Sequence, residues 1–253
     1  MNTLKVVCIS DTHTQHRDIA IPECDLLLVT GDLTYRGEIR VLKDFDTWCG
    51  ELKEQGLVKE VVVISGNHDL TTDPVKPEYY PTFRDIFVNC IYLQHQVTEV
   101  MGLRIWGSPA SPFFCNWGHN FHRGADIQKI WDLMLADHKE KPLDIILTHG
   151  PVYRILDWVE REDWVFDPAV GSHLKKKKEY VGCKDLLRAV EQINPVLHVA
   201  GHIHQAYGAK QKGETLFVNA STCTEEYKPH NDPIVVEFEK VDDKWKVISH
   251  SWK

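Results

Sequence analysis

The chain has 253 residues, 43% of them hydrophobic and 26% charged, enough to bury one large core, so a single domain over 1–253 is expected. A net charge of −8 argues against long nucleic acid as a partner, because such binding depends on Lys and Arg neutralising phosphates, and leaves a small anionic substrate only where positive charge is local. Seven scattered cysteines without a C-x-x-C pair argue against a disulfide frame and read as reduced thiols of a cytoplasmic protein. No apolar run reaches membrane-span length and no signal peptide is evident, so no membrane partner is expected.

In chain order, LKVVCIS (4–10) and DLLLVTGD (25–32) read as buried strands, 38–55 as a helix by its apolar spacing, and EVVVISGNHD (60–69) as a third strand. The segment SPASPFFCNWGHNFHR (108–123) is rich in aromatics; Phe113, Phe114, Trp117 and Phe121 read as a small core beneath a long loop, with stacking on a nucleobase as the alternative. A helix over 123–139 leads to the strand DIILTHG (144–150). The stretch 151–182 is the expected surface insertion, and its run Lys175–Lys178 reads as a solvated face, with a steering patch for anions as the alternative. A short helix over 183–193 precedes the strand PVLHVAGHIH (195–204). After residue 205, TLFVNAS (215–221), IVVEFE (234–239) and WKVISHS (245–251) read as antiparallel strands. The alternation is that of an α/β fold.

Residues able to carry chemistry stand where the strand runs stop: Asp11, His13, Asp32, Asn67, His68, His149, His202 and His204. The carboxyl ends of strands in an open α/β sheet share one edge, so distant segments can meet there. Asp11 and His13 lie two apart and point the same way if the strand stays extended, as do His202 and His204; adjacent Asn67 and His68 point apart. Any one of these is ordinarily a cap or turn residue. Seven Asp, Asn and His ligands on five strand ends suit a pair of divalent cations that would attract a phosphate. Gly31, Gly66, Gly150 and Gly201 adjoin ligands, where the absence of a Cβ lets the backbone approach the ions.

D-x-H at Asp11–His13, GD at Gly31–Asp32, GNHD at Gly66–Asp69, THG at Thr148–Gly150 and GHIH at Gly201–His204 together resemble the calcineurin-like metallophosphoesterase superfamily. The resemblance implies a four-layer αββα sandwich of two mixed β-sheets flanked by helices. It further implies that Asp11, His13, Asp32 and His204 hold one metal, that Asp32, Asn67, His149 and His202 hold the other, and that His68 protonates the leaving group. IILTHGP, LHVAGHIHQAYG and FVNASTCT resemble the small eukaryotic metallophosphoesterase-domain proteins of the fetal-brain type, related to class III cyclic-nucleotide phosphodiesterases. Some members of that group lack a histidine of the GHIH block; here both are kept.

The expected function is a dinuclear metal-dependent phosphodiesterase for small phosphodiesters such as cyclic nucleotides, using a metal-bridging hydroxide and His68 as general acid. Two divalent ions are expected from Mn, Fe, Zn and Co, with Mn favoured. Arg36, in Asp32-Leu-Thr-Tyr-Arg36-Gly37, is a candidate phosphate clamp that would favour a phosphomonoesterase instead. A weakly active nucleotide-binding or interaction module is the non-catalytic alternative. Asn116 and His119 are further candidate substrate contacts.

Overall fold

A computed structural model describes residues 2–76, 85–167 and 171–252. In chain order the elements are β1 (Thr3–Ile9), β2 (Cys24–Thr30), α1 (Ile39–Glu54), β3 (Val58–Ile64), β4 (Ile91–Tyr92), β5 (Gln96–Val100), β6 (Leu103–Ser108), β7 (Ser111–Pro112), β8 (Asn120–Phe121) and α2 (Ala125–Glu140). They continue with β9 (Ile145–Thr148), β10 (Trp158–Asp167), β11 (Gly171–Tyr180), α3 (Lys184–Ile193), β12 (Leu197–Ala200), β13 (Gly208–Lys212), β14 (Thr215–Asn219), β15 (Ile234–Val241) and β16 (Lys244–His250).

Two six-stranded sheets dominate, in the orders β16-β15-β1-β2-β3-β4 and β13-β14-β12-β9-β6-β5. Each is parallel in its middle and antiparallel toward an edge, hence mixed. Alternation of side chains along the strands separates the layers. Val6, Cys8, Leu26, Leu28 and Ile64 meet Ile105, Leu147, Val199 and Val218 between the sheets. Val7, Ile9, Leu27 and Val29 face the other way and pack under Leu42, Phe45, Trp48 and Leu52 of α1. On the far side of the second sheet, Trp106, Ile146 and Phe217 are covered by Trp131 and Met134 of α2 and by Leu186 and Val190 of α3. Both faces of the central strands are therefore buried, which is why their sequences are nearly unbroken apolar runs. The four layers are the αββα sandwich that the motifs imply.

The helix ends follow from local chemistry. α3 starts at Cys183, whose sulfur accepts the Leu186 N–H, and stops at Asn194, which takes the left-handed conformation that asparagine tolerates. α2 starts after Gly124, at φ 83°.

One sequence expectation needs correction, and two segments hold strands that the sequence did not suggest. β14 is antiparallel to β13 but parallel to β12, so it completes the α/β sheet instead of belonging to a separate antiparallel unit. β5 and β6 form a hairpin through Met101 and Gly102, both at positive φ, in a segment that gave no strand expectation. The insertion 151–182 contains a long ribbon, β10 paired antiparallel with β11; residues 168–170 of it lie outside the described residues. The ribbon explains the lysine run. Lys175, Lys176 and Lys178 stand opposite Asp163, Glu162 and Glu160, and Lys176 Nζ lies 3.2 Å from a Glu160 oxygen. Opposite charges across strands offset one another, whereas Lys177 stands opposite Arg161; the run is exposed, as a solvated surface is, with three of its four lysines facing acids.

Candidate metal centre

The parallel strands β1, β2 and β3 of one sheet and β9 and β12 of the other bring their carboxyl ends to one edge. The residues just beyond those ends converge. Ligand atoms of Asp11, His13 and His204 lie within 4.8 Å of one another, and so do those of Asp32, His149 and His202. Asn67 joins the second group, its Oδ1 2.8 Å from His149 Nε2. Asp32 lies between the groups: one carboxylate oxygen is 3.4 Å from His149 Nε2, the other 3.8 Å from His13 Nε2. The seven residues singled out in the sequence are thus brought together at one edge, in two groups with Asp32 between them.

The backbone reaches this arrangement by a route that residue spacing does not suggest. Asp11, His13, Asp32 and His202 all have positive φ, between 40° and 68°, a conformation that costs non-glycine residues roughly 1–3 kcal/mol each and persists where surrounding bonds impose it. Those bonds are present. Asp11 and His13 donate their backbone N–H to the carbonyls of Gly31 and Asp32 at 2.9 and 3.0 Å, and His202 N donates to the Asp11 carboxylate at 2.9 Å. The strands therefore end before the ligands, and Asp11 and His13 share a group through a left-handed turn, not through an extended pair. The same departure sends His202 and His204 to different groups. Asn67 and His68 likewise sit in a turn, with His68 N donating to Asp32 Oδ1 at 2.8 Å.

Three histidines are oriented in one manner. His13, His149 and His204 donate Nδ1–H to the carbonyls of Thr34, Thr30 and Thr224 at 3.2, 2.8 and 2.9 Å, which turns each Nε2 inward and is the support a metal-ligating imidazole ordinarily has. His13 Nε2 and His204 Nε2 face each other at 3.4 Å, an opposition that a cation between them satisfies. Burial disfavours charge on Asp11 and Asp32, yet His204 at the first and His149 at the second hold both well below the usual carboxylate range. Burial also opposes charge on His149 and His204, but Asp32 and Asp11 outweigh it and lift both to about 9. Burial, with His149 nearby, pushes His202 down to about 4 and keeps it a neutral donor. Buried ionised carboxylates, inward imidazole nitrogens and an amide oxygen form a donor set that fits borderline divalent cations.

Supporting residues to which the motifs assign no role complete the site. Asp69, the last residue of the GNHD block, accepts from Gly66 N at 2.8 Å, Thr34 N at 2.9 Å and Leu33 N at 3.2 Å. It ties the Asp32 and Asn67 loops together. Ser221 Oγ lies 2.8 Å from Asp11 Oδ2, and Asn219 Nδ2 donates to Ile203 O at 2.9 Å. The FVNAST run is the signal for both, since it places polar residues at another strand end.

Glycine is needed at some of these positions and not at others. A Cβ on Gly66 would collide with Asp32 and would lie 2.6 Å from His149 Cε1, whereas one on Gly150 would meet nothing nearer than Ser111 Cβ at 3.6 Å. Gly66→Ala is therefore expected to lose at least one metal ion, and Gly150→Ala to keep two, as measured by metal analysis after dialysis. Equal metal content in the two variants would contradict this account of the loops.

Thr148 Oγ1 donates its hydrogen to Gly150 O at 2.8 Å, so it accepts from the buried His198, whose Nε2–H points to Thr148 Oγ1 at 2.9 Å. Burial pushes His198 down to about 3. Its folded value lies below the ordinary 6.5, so the unfolded chain takes up the proton first, and this contribution to stability is lost as pH falls below 6.5. At pH 5.5 the loss is about 1.4 kcal/mol. His198→Gln retains a donor that does not titrate. Urea melts at about pH 7.5 and 5.5 should show the parent losing about 1.4 kcal/mol more than the variant; equal losses would show that His198 is not held neutral.

A cavity of about 470 Å³ opens onto the centre, lined by Asp32, Asn67, His202 and His204 together with His68, Tyr227 and an aromatic wall. Phe113, Phe114 and Trp117 form that wall, and only Phe121 of the four aromatics packs against the helix-covered core, so the reading of all four as a loop core is corrected. The weaker candidates lie elsewhere. Arg36 is exposed with its guanidinium 5.2 Å from the Trp117 ring centre, Asn116 is exposed, and His119 is buried with Nε2 2.8 Å from Thr72 Oγ1. None of the three lines the cavity.

The sandwich and its paired ligand groups define a class, the metallophosphoesterases. Residues 4–206 match the family model for calcineurin-like phosphoesterases, and the chain belongs to that family of phosphoester hydrolases. It is 38% identical to human Metallophosphoesterase domain-containing protein 1 over 254 residues, 92% of this chain and 71% of that protein. UPF0046 protein T07D4.2 of Caenorhabditis elegans is 30% identical over 93% of this chain and 60% of its own length. Among solved structures, TT1561 of Thermus thermophilus superposes with a TM-score of 0.57, covering 97% of this chain and 98% of that one at 12% identity, a likeness of fold alone. No helix among the described residues is long and apolar enough to cross a membrane.

Proposed function

We propose that the chain is a dinuclear phosphodiesterase for small phosphodiesters, cyclic nucleotides among them. The observation that carries this is the position of Asp32 between two ligand groups, with the His68 ring beside it on the cavity wall. Asp11, His13, Asp32 and His204 would hold one ion, and Asp32, Asn67, His149 and His202 the other. Two divalent ions, when bound, supply Lewis-acid charge for the phosphate and a water activated at neutral pH. His68 donates Nδ1–H to Tyr35 O at 2.8 Å, so Nε2 is the atom that exchanges a proton with substrate, and 4.0 Å separates it from Asp32 Oδ2. It is the candidate donor to the departing oxygen.

Arg36 lies outside the cavity, and the two arginines that line it are engaged elsewhere, Arg123 by the Val181 and Gly182 carbonyls and Arg161 by Glu179, so we read the site as one for diesters, which carry less charge than monoesters. Rates on bis-p-nitrophenyl phosphate and p-nitrophenyl phosphate with Mn²⁺ test it: the diester is expected to be the better substrate, and faster monoester hydrolysis would overturn the assignment. Mn is the metal we favour, on the mixed His, Asn and Asp donor set. Residues 1–253 are read as one metallophosphoesterase domain because both sheets share one core. A cytoplasmic location accords with seven free cysteines, six of them buried.

A further inference from the structure

The side of the cavity next to His68 is aromatic and preformed. Trp117 stacks on the His68 ring at 4.1 Å between centroids and 25° between planes. Phe113 and Phe114, on the same loop as Trp117, also line the cavity and are 52% and 56% exposed. Neighbouring phenylalanines left in water at the mouth of a polar centre have apolar area to gain from a ligand.

The loop carrying them is held in place. Asn120 Nδ2 reaches the carbonyls of Phe114, Cys115 and Trp117 at 3.1–3.2 Å. Gly118 N donates to Asn67 O at 2.9 Å, which couples the loop to the metal centre, and Phe113 N donates to Phe121 O at 2.8 Å. The Phe113 ring stacks on His122 at 5.1 Å. Val159 and Ile203 add apolar surface to the cavity lining.

The position of His68 decides which part of the substrate meets this wall. In the reaction proposed above, water forms a new P–O bond and keeps one proton there while releasing the other to solvent, the P–O bond to the departing alcohol breaks, and that alcohol takes a proton from His68, which regains one from solvent. The departing group therefore lies on the His68 side, against Trp117 and the two phenylalanines. We infer that the site selects phosphodiesters whose leaving alcohol carries a flat apolar ring, which Phe113 and Phe114 hold. The inference rests on His68 as the proton donor.

Phenyl hexafluoroisopropyl phosphate tests it by competition within one molecule, because it presents a flat ring and a compact fluoroalkyl group as alternative leaving alcohols of similar acidity. The ratio of phenol to fluoroalcohol released by the Mn²⁺-loaded protein should exceed the ratio in uncatalysed hydrolysis by about threefold to tenfold, the equivalent of one aromatic pair. Phe113→Ala/Phe114→Ala, at exposed positions where folding is checked by thermal melting, should return the ratio to the uncatalysed value, and Phe113→Tyr/Phe114→Tyr should retain the excess. An uncatalysed ratio from the parent, an unchanged excess in the Ala variant, or no cleavage of the mixed diester by protein that hydrolyses bis-p-nitrophenyl phosphate overturns the inference. No hydrolysis of any diester by the metal-loaded protein overturns the proposed function instead.

Discussion

Asp32→Asn is expected to remove hydrolysis, by on the order of 10³-fold or more, and to lower bound metal from two ions per chain to at most one. The two oxygens of Asp32 face different ligand groups, and the substitution removes both a shared ligand and one of two negative charges at the centre. An amide oxygen can still accept from His68 N, now bonded to Oδ1 at 2.8 Å, so the loop itself should survive. Metal analysis of the dialysed variant checks the claim. Two tightly held ions with parental turnover would show that Asp32 bridges nothing.

His68→Ala separates a proton donor from a ligand. His68 belongs to neither ligand group, and its Nδ1 is committed to Tyr35 O, so both ions should remain. Loss of a positioned general acid costs roughly 10²–10⁴-fold, and the cost should concentrate on substrates whose leaving oxygen needs a proton. The ratio of parent to variant rates should therefore be large for a cyclic nucleotide and much smaller for bis-p-nitrophenyl phosphate. Equal ratios would remove the leaving-group role, and loss of an ion would make His68 a ligand.

The alternation of buried strands and helices, and the clustering of Asp, Asn and His at strand ends, were legible in the sequence because they depend on patterns that survive without coordinates, whereas the four layers came from the motif resemblance. Strands buried on both faces must be continuously apolar, as Leu26–Val29 and Val61–Ile64 are. The ligands had to follow the carboxyl ends of those strands. What escaped depended on backbone conformation or distant pairing. The Met101-Gly102 turn lacks the Asn-Gly or Asp-Gly pair that marks a tight hairpin, so β5 and β6 were not evident. The left-handed turns at Asp11, His13 and His202 are imposed by hydrogen bonds from other loops, and residue spacing carries no trace of them. The partners of the Lys175–Lys178 run on β10, three acids and Arg161, follow from the pairing register and not from the run itself. The aromatic loop read as a core since exposure at a cavity wall and burial beneath a loop leave the same composition.

The central claim is that two groups of side chains around Asp32 bind two ions and that catalysis needs both. Titrating metal-free protein with Mn²⁺, while measuring bound ions and hydrolysis of bis-p-nitrophenyl phosphate on the same samples, tests it most directly. The account predicts two ions per chain at saturation, with activity appearing as the second site fills. Saturation at a single ion with full activity, or two bound ions without hydrolysis of the diester, would contradict it.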